Sequence, residues 1–366
     1  MNFKRFGAPV AVLAVAALAL TACASNESGG SASTATTSAA AAFSGTLNGI
    51  GSSAQSAAQT AWAAGFQTAN SAVTINYDPQ GSGAGRTSFI GGSSDFAGSD
   101  AALKDTELKS NFVGCAASSS AIDLPIYISP IAIAYNVAGL SDLKLDADTI
   151  AGIFSGAVTK WNDPKIAALN SGATLPVAAI TVVHRSDDSG TTQNFTEYLA
   201  ANAPTVWTKP SGQTFPYQVG DAAKGTSGVA DATKSAKNSI TYIDESGSAG
   251  LSIAQLKVGS AFVKISAAGA ADVVAKSPIA SGRTANDLAI AIDRKNTDAN
   301  AWPLVLVSYF IACQQYKDTA KSTLVKGYAS YIASDAGQQA AAKAAGSAPL
   351  SAALAAKVAT AIASIK

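Results

Sequence analysis

The sequence predicts an α/β fold of two lobes built on parallel-rich mixed sheets, and three observations carry that expectation. Three times the chain runs from a strand-like segment through a Gly/Ser turn into a helical pattern. Two later apolar segments have the length and composition of strands that cross between lobes. Residues 44–366 are long enough to bury a large core and to divide in two.

In chain order, residues 1–22 come first as an address rather than structure. Lys4 and Arg5 give a basic start, Val10 to Leu20 form an apolar run too short for a comfortable span, and Leu20-Thr21-Ala22-Cys23 places small residues before a cysteine. That order is a secretory signal peptide, and the cysteine placement resembles a bacterial lipobox. The resemblance implies cleavage before Cys23, lipid on its sulfur and new amino group, and anchoring to the cell membrane through several acyl chains. The alternatives are an ordinary signal peptide cut elsewhere, or an uncleaved anchor. From Cys23 to Phe43 the chain is almost entirely Ser, Ala, Thr and Gly, which predicts a flexible linker, with folded sequence starting near Phe43.

The first strand-turn-helix unit is Leu47-Asn48-Gly49-Ile50-Gly51-Ser52-Ser53, followed by Ala58, Trp62 and Phe66 at helical spacing. The second is the alternating strand Val73-Thr74-Ile75-Asn76-Tyr77, then Gly81-Ser82-Gly83-Ala84-Gly85. The third is Ile180 to Val183, then Arg185-Ser186-Asp187-Asp188-Ser189-Gly190-Thr191, then Phe195, Tyr198 and Leu199. In folds of this class ligands bind beyond the carboxyl ends of the strands, where these turns lie. Pro130 to Tyr135 and Leu304 to Phe310 are the two crossing segments, and Ser239 to Ile243 adds a strand to the inserted lobe. If both cross, one lobe is 132–307 and the other is discontinuous, 44–131 plus 308–366. From Thr319 onward the pattern is helical.

Composition removes several classes of function. Without Lys4 and Arg5, 25 − 2 = 23 basic residues face 24 acidic ones, which offers nucleic acid no electrostatic footprint. Charged residues are 13% of the chain, so specific binding has to come from a few placed groups. Beyond Cys23 the cysteines are Cys115 and Cys313; outside the cytoplasm two in one domain pair, the alternative being two buried thiols. A single histidine, His184, and no Cys-x-x-Cys spacing argue against a metal site and against a cofactor. Gly81, Gly83 and Gly85 miss the dinucleotide fingerprint, and there is no P-loop.

What remains points to an anion. A helix N-terminus offers unpaired N–H groups and partial positive charge. Arg185 stands four residues before Ser189-Gly190-Thr191, so its guanidinium fork can meet the same oxyanion as the helix-start amides. The alternative is an arginine held on the surface by Asp187 or Asp188. Asp100, closing Asp95-Phe96-Ala97-Gly98-Ser99-Asp100, is the discriminating member. An ionised carboxylate only accepts hydrogen bonds, so beside a bound anion it repels unless the anion brings a proton. Phosphate near neutral pH brings one; sulfate does not. Otherwise Asp100 is a helix cap. Asp188-Ser189-Gly190 near His184 suggests a hydrolase, but strand alternation turns His184 and Ser186 away from Arg185 and leaves no triad. No enzyme is expected, and His184 is assigned a structural role.

These motifs in this order, together with Lys160-Trp161-Asn162-Asp163 and Ala301-Trp302-Pro303, resemble the substrate-binding protein of bacterial phosphate ABC transporters, of the actinobacterial lipoprotein type. The resemblance spans nearly all of the folded chain and implies a two-lobed, periplasmic-binding-protein-like clamp with a two-strand hinge, closing around phosphate. It implies that Ser53, the Ala54 amide and Ser82 donate to phosphate and that Asp100 accepts its proton. Arg185, Ser189, Gly190 and Thr191 would complete the cage, with Asp187 orienting Arg185. It also implies a monomer that docks on membrane permease subunits and hangs from a lipid anchor. Two positions depart from the pattern: Ala54 stands where phenylalanine is common, and Asp188 where glycine is usual. The competing readings are a receptor for sulfate or molybdate, a surface lipoprotein for adhesion or signalling, and, last, a phosphatase.

Overall fold

The computed structural model describes residues 43–366; the expected signal peptide, the expected lipidation at Cys23 and nearly all of the expected linker lie outside the described residues. Phe43, the first described residue, packs on Phe66, ring centroids 5.6 Å apart. The first units alternate as expected: β1 (Gly45–Gly51), α1 (Ser56–Ala69), β2 (Val73–Asp78), α2 (Ser82–Ile90) and β3 (Phe96–Ser99). A long strand β4 (Ala121–Asn136) follows, then β5 (Lys144–Leu145), α3 (Ala147–Ser155) and α4 (Pro164–Leu169). Next come β6 (Thr181–Arg185), α5 (Gly190–Asn202), β7 (Asp221–Ala223), α6 (Gly225–Ser235) and β8 (Ser239–Asp244). The rest is β9 (Ser252–Ile253), β10 (Gln255–Val258), β11 (Ala261–Val263), α7 (Ala267–Lys276), β12 (Val305–Cys313), α8 (Thr319–Ala333), α9 (Asp335–Ala345) and α10 (Ala352–Ala363).

The main sheet is mixed, with strand order β2-β1-β3-β12-β4-β8-β6-β7, and β5, β10 and β11 form a small second sheet. The β1–β2, β1–β3, β6–β7 and β6–β8 pairs are parallel, which sends the β1, β3 and β6 ends, and the turns after them, toward the site. Antiparallel pairing gathers on β4 and β12. The first half of β4 pairs β12, and the second half, from Ile131, pairs β8. Where β4 changes partner, Ile131 N donates to Leu304 O at 2.8 Å and Trp302 Nε1 donates to Ile131 O at 3.1 Å.

Helical spacing works as expected in α1, whose Ala58, Trp62 and Phe66 all face inward. Trp62 meets Tyr127 of β4 edge-on, and Phe96 of β3 stacks on Phe310 of β12 at 4.6 Å. In α5 the buried face includes Phe195, Tyr198 and Leu199. Phe195 stacks on Tyr242 of β8 at 4.2 Å, and Phe154 packs edge-on to it. Such pairs add about 0.5–1.5 kcal/mol beyond their area burial, and here they fix the direction in which the α5 N-terminus points. Cys115 and Cys313 are joined, Cα atoms 5.3 Å apart, tying the loop before β4 to the end of β12. Among the described residues no helix is long and apolar enough to cross a membrane.

Candidate functional site

β1 and β3 approach so closely at their carboxyl ends that a Cβ on Gly51 would lie 1.9 Å from Gly98 O. Beyond that contact Ser52 N donates to Gly98 O at 2.8 Å, and Ser52 Oγ donates to Asp100 Oδ1 at 2.5 Å. Ser53 Oγ accepts from Thr226 N at 3.0 Å, so it faces the start of α6. The Ala54 amide donates to Ser52 Oγ at 3.1 Å. In the second turn Gly81 adopts φ +107°, a region L side chains rarely enter, and Ser82 opens α2. Ser82 Oγ accepts from Asp100 N at 3.1 Å.

Asp100 is 3% exposed. Its Oδ1 accepts from Ser52 and from Ser308 Oγ at 2.6 Å, and its Oδ2 accepts from Thr191 Oγ1 at 3.1 Å. A buried polar chain sets the Ser308 proton. Tyr328 OH donates to Gln59, Gln59 to Gln55, and Gln55 Nε2 to Ser308 Oγ, leaving the Ser308 hydrogen for Asp100. Burial pushes the Asp100 pKa above the ordinary carboxylate value; the hydroxyls of Ser308 and Ser52, the Arg185 charge and the Thr191 hydroxyl work against it. A carboxylate has about four lone-pair sites. Three are taken, and the fourth belongs to Oδ2, the oxygen on the α5 side.

β6 delivers Arg185, 4% exposed, to the other wall. Its Nε donates to Asp187 Oδ1 at 2.7 Å and its Nη2 to Asp187 Oδ2 at 2.5 Å, so one carboxylate holds the fork in plane. Asp187 Oδ1 also accepts from Gly225 N at 3.1 Å. Burial pulls the Asp187 pKa up, but the hydrogen bonds and charge of Arg185, with the Gly225 amide, hold it below the ordinary value. Ser189 caps α5 by accepting from Thr192 N at 3.1 Å. Gly190 opens the helix so close to Asp100 that a Cβ would lie 2.7 Å from both Asp100 Cβ and Ser82 Oγ. The first-turn amides of α5, Gly190 and Thr191 among them, have no intrahelical acceptor.

The structure brings the eight expected ligand residues to neighbouring turns and helix starts, and Asp187 hydrogen-bonds Arg185. Asp188 is exposed; its Oδ1 accepts from Thr214 Oγ1 at 2.7 Å and its carbonyl accepts from Gly83 N at 3.1 Å. His184 stacks on Phe215 at 4.2 Å, in keeping with a structural role. Four residues that sequence reasoning gave no role also belong here: Ser52, Thr226, Asn194 and Ser308. Ser308 had a signal, a hydroxyl within the apolar run Leu304–Phe310. Asn194 and Thr226 had none, because only the fold brings them in.

With the geometry in place, known proteins can be compared. A family model described as PBP superfamily domain matches residues 34–336. The phosphate-binding protein PstS 3 of Mycobacterium leprae is 37% identical over 337 residues, 90% of each chain. The phosphate-binding protein PstS 2 of Mycobacterium tuberculosis is 36% identical over 336 residues, again 90% of each. Among solved structures, a high-affinity periplasmic phosphate-binding protein (PfluDING) bound with phosphate superposes with a TM-score of 0.69 at 22% identity, over 86% of this chain and 93% of that one. A phosphate-binding protein from Stenotrophomonas maltophilia gives 0.66 at 20%, with 86% and 93% covered. The two structures share the two-lobed α/β fold, and the mycobacterial relatives share the sequence nearly end to end. On both counts the chain belongs to the phosphate-binding protein family within the PBP superfamily.

Proposed function

We propose that this chain binds inorganic phosphate with high affinity outside the cytoplasmic membrane and delivers it to the permease of an ABC importer, with no chemical step. The observation that carries the reading is Asp100: a buried carboxylate whose Oδ2 has a single partner, the Thr191 hydroxyl at the α5 N-terminus, and which feels the charge of Arg185. Two of those three groups attract any oxyanion. The third rewards only an oxyanion that still carries a proton. A site built to hydrogen-bond a ligand hydroxyl rejects an analogue lacking it by roughly four to five orders of magnitude.

The remaining cage follows from where hydroxyl protons point. The oxygens of Ser82 and Ser189 each accept a backbone N–H, so their protons are left for a ligand; Ser53 Oγ accepts from Thr226 N and also pairs with Thr226 Oγ1 at 3.0 Å, and it would donate to a ligand when the Thr226 hydroxyl takes the donor role between them. The amides of Gly190 and Thr191 and the free edge of Arg185 would donate from the opposite wall. Ala54 would add a shared amide donor. Asp187 would keep Arg185 aligned. The lobes would be 44–131 with 308–366, and 132–307, closing by hinge motion at the Ile131–Leu304 contact. Export by residues 1–22 and a lipid anchor at Cys23 would hold a monomer at the outer face of the cytoplasmic membrane, beside its permease.

Calorimetric titration tests the reading. Phosphate is expected to bind at micromolar or tighter dissociation constants, with sulfate at least about a thousandfold weaker. Equal affinities for the two would overturn it.

A further inference from the structure

Asn194 lies one turn beyond Gly190 on α5 and is 3% exposed. Its Nδ2 donates to two backbone carbonyls, Asp100 O at 2.7 Å and Gly190 O at 2.9 Å. Its Oδ1 accepts from Arg294 Nη2. The outline of an amide does not distinguish its oxygen from its nitrogen, but chemistry does here. A guanidinium has no acceptor, so the amide oxygen must face Arg294 and the NH₂ must face the two carbonyls. Two donors then meet two acceptors. Arg294 is itself buried, donating to Val305 O of β12 at 2.6 Å and to Glu197 Oε2 of α5 at 3.0 Å.

We infer that Arg294 and Asn194 form a positioning relay that sets the spacing between Asp100 and the first turn of α5, and thereby slows the release of phosphate. The inference rests on the phosphate-binding reading above. Asp100 and Gly190 both belong to the cage, and both turn carbonyl oxygens toward Asn194. Without that NH₂ the buried Asp100 carbonyl loses its donor while facing Gly190 O, which keeps only its helical N–H partner, and that cost falls on the conformation in which α5 lies against Asp100. Neither relay side chain is among the expected phosphate contacts. The Asp100 carboxylate, which discriminates phosphate from sulfate, keeps its three hydroxyl partners without them.

The test measures phosphate dissociation by stopped flow on the full chain and on Asn194→Leu, Asn194→Asp, Arg294→Met and the Asn194→Leu/Arg294→Met double variant. Thermal melting without phosphate runs alongside. Asn194→Leu is expected to raise the off-rate about tenfold or more, with the phosphate-to-sulfate ratio retained. Asn194→Asp keeps the volume and the Arg294 partner but turns an acceptor toward two acceptors, so it is expected to release phosphate at least as fast as the leucine variant. A purely packing role leaves it near wild type. The double variant is expected to be no worse than Asn194→Leu alone, as for two residues acting as one unit. Should Arg294→Met not fold, Arg294→Lys, which removes the fork and keeps the charge, takes its place.

Off-rates within twofold of wild type in the Asn194 variants overturn the relay, as do additive effects in the double variant. A wild-type chain that binds no phosphate overturns the proposed function instead, so the two failures are distinguishable.

Discussion

Asp100 and Asp244 are both buried carboxyls whose pKa values burial pushes up, yet their surroundings give them different work. Around Asp100, three hydroxyls and Arg185 oppose the burial effect and favour the ionised form that can accept a ligand proton. Replacing Asp100 by Asn keeps the size and swaps an acceptor-only group for one that also donates. Discrimination against sulfate is expected to shrink by at least about tenfold. An unchanged phosphate-to-sulfate ratio in paired titrations would reduce Asp100 to a structural acceptor. Asp244, at the end of β8, accepts from Tyr127 OH and Ser246 N, while its Oδ2 has no partner. Burial first, and the Asp100 charge further down, raise its pKa to about 7 against the pull of the Ser246 hydrogen bond. The unfolded value is about 3.9. Between those values the folded chain holds a proton that the unfolded chain lacks. This group's contribution to stability is therefore fully present below about pH 4 and lost as pH rises through about 7. Urea unfolding of Asp244→Asn, neutral at every pH, is expected to show a flatter decline from pH 5 to 8 than wild type; equal slopes would contradict the assignment.

At the scale of elements, the site exists because three strand ends and four helix starts converge, those of α1, α2, α5 and α6, and glycine sets how closely. A methyl on Gly51 would meet Gly98 O at 1.9 Å and Gly98 N at 2.6 Å, both backbone atoms that cannot swing aside. Gly51→Ala is expected to cost about 1–3 kcal/mol in denaturant unfolding and to weaken phosphate binding, since β1 and β3 carry Ser53 and Asp100. A midpoint equal to wild type would mean the two strands can part without cost. These elements were largely legible in the sequence, because a strand, a Gly/Ser turn and a helical face are local patterns. β4 was legible only from Pro130 onward. Asp123 and Pro125 interrupt the apolar pattern upstream, and proline ordinarily marks a strand's edge or a bulge. In the fold Pro125 sits at a register shift opposite Ser308 and Tyr309, and Asp123 pairs with Arg283, 160 residues away. Tertiary partners thus permit a strand that local pattern breaks.

Across the whole molecule the Cys115–Cys313 link closes a separation of 198 residues. Chain entropy assigns such a loop about 5 kcal/mol, and measured losses usually fall at or below that figure. The Cys115→Ala/Cys313→Ala variant should therefore unfold at clearly lower denaturant. An unchanged midpoint would show that the core alone secures the β4 and β12 ends. The link also joins two distant parts of the chain that pair as neighbouring strands, with Cys313 directly opposite Ala121 in the ladder.

By itself the sequence determined the fold class, the three Gly/Ser turns, the disulfide partners and Asp100 as the carboxylate proposed to separate phosphate from other oxyanions. Each of these rests on chemistry carried within a few residues, or on a residue type too scarce to pair otherwise. Tertiary structure alone decided which hydroxyls hold Asp100 and what holds the α5 turn against it. Ser52, Ser308 and Thr191 come from three separate parts of the chain, and Asn194 reaches Arg294 across 100 residues. A buried acceptor must find its donors wherever the packed core supplies them, and spacing along the chain carries no record of that.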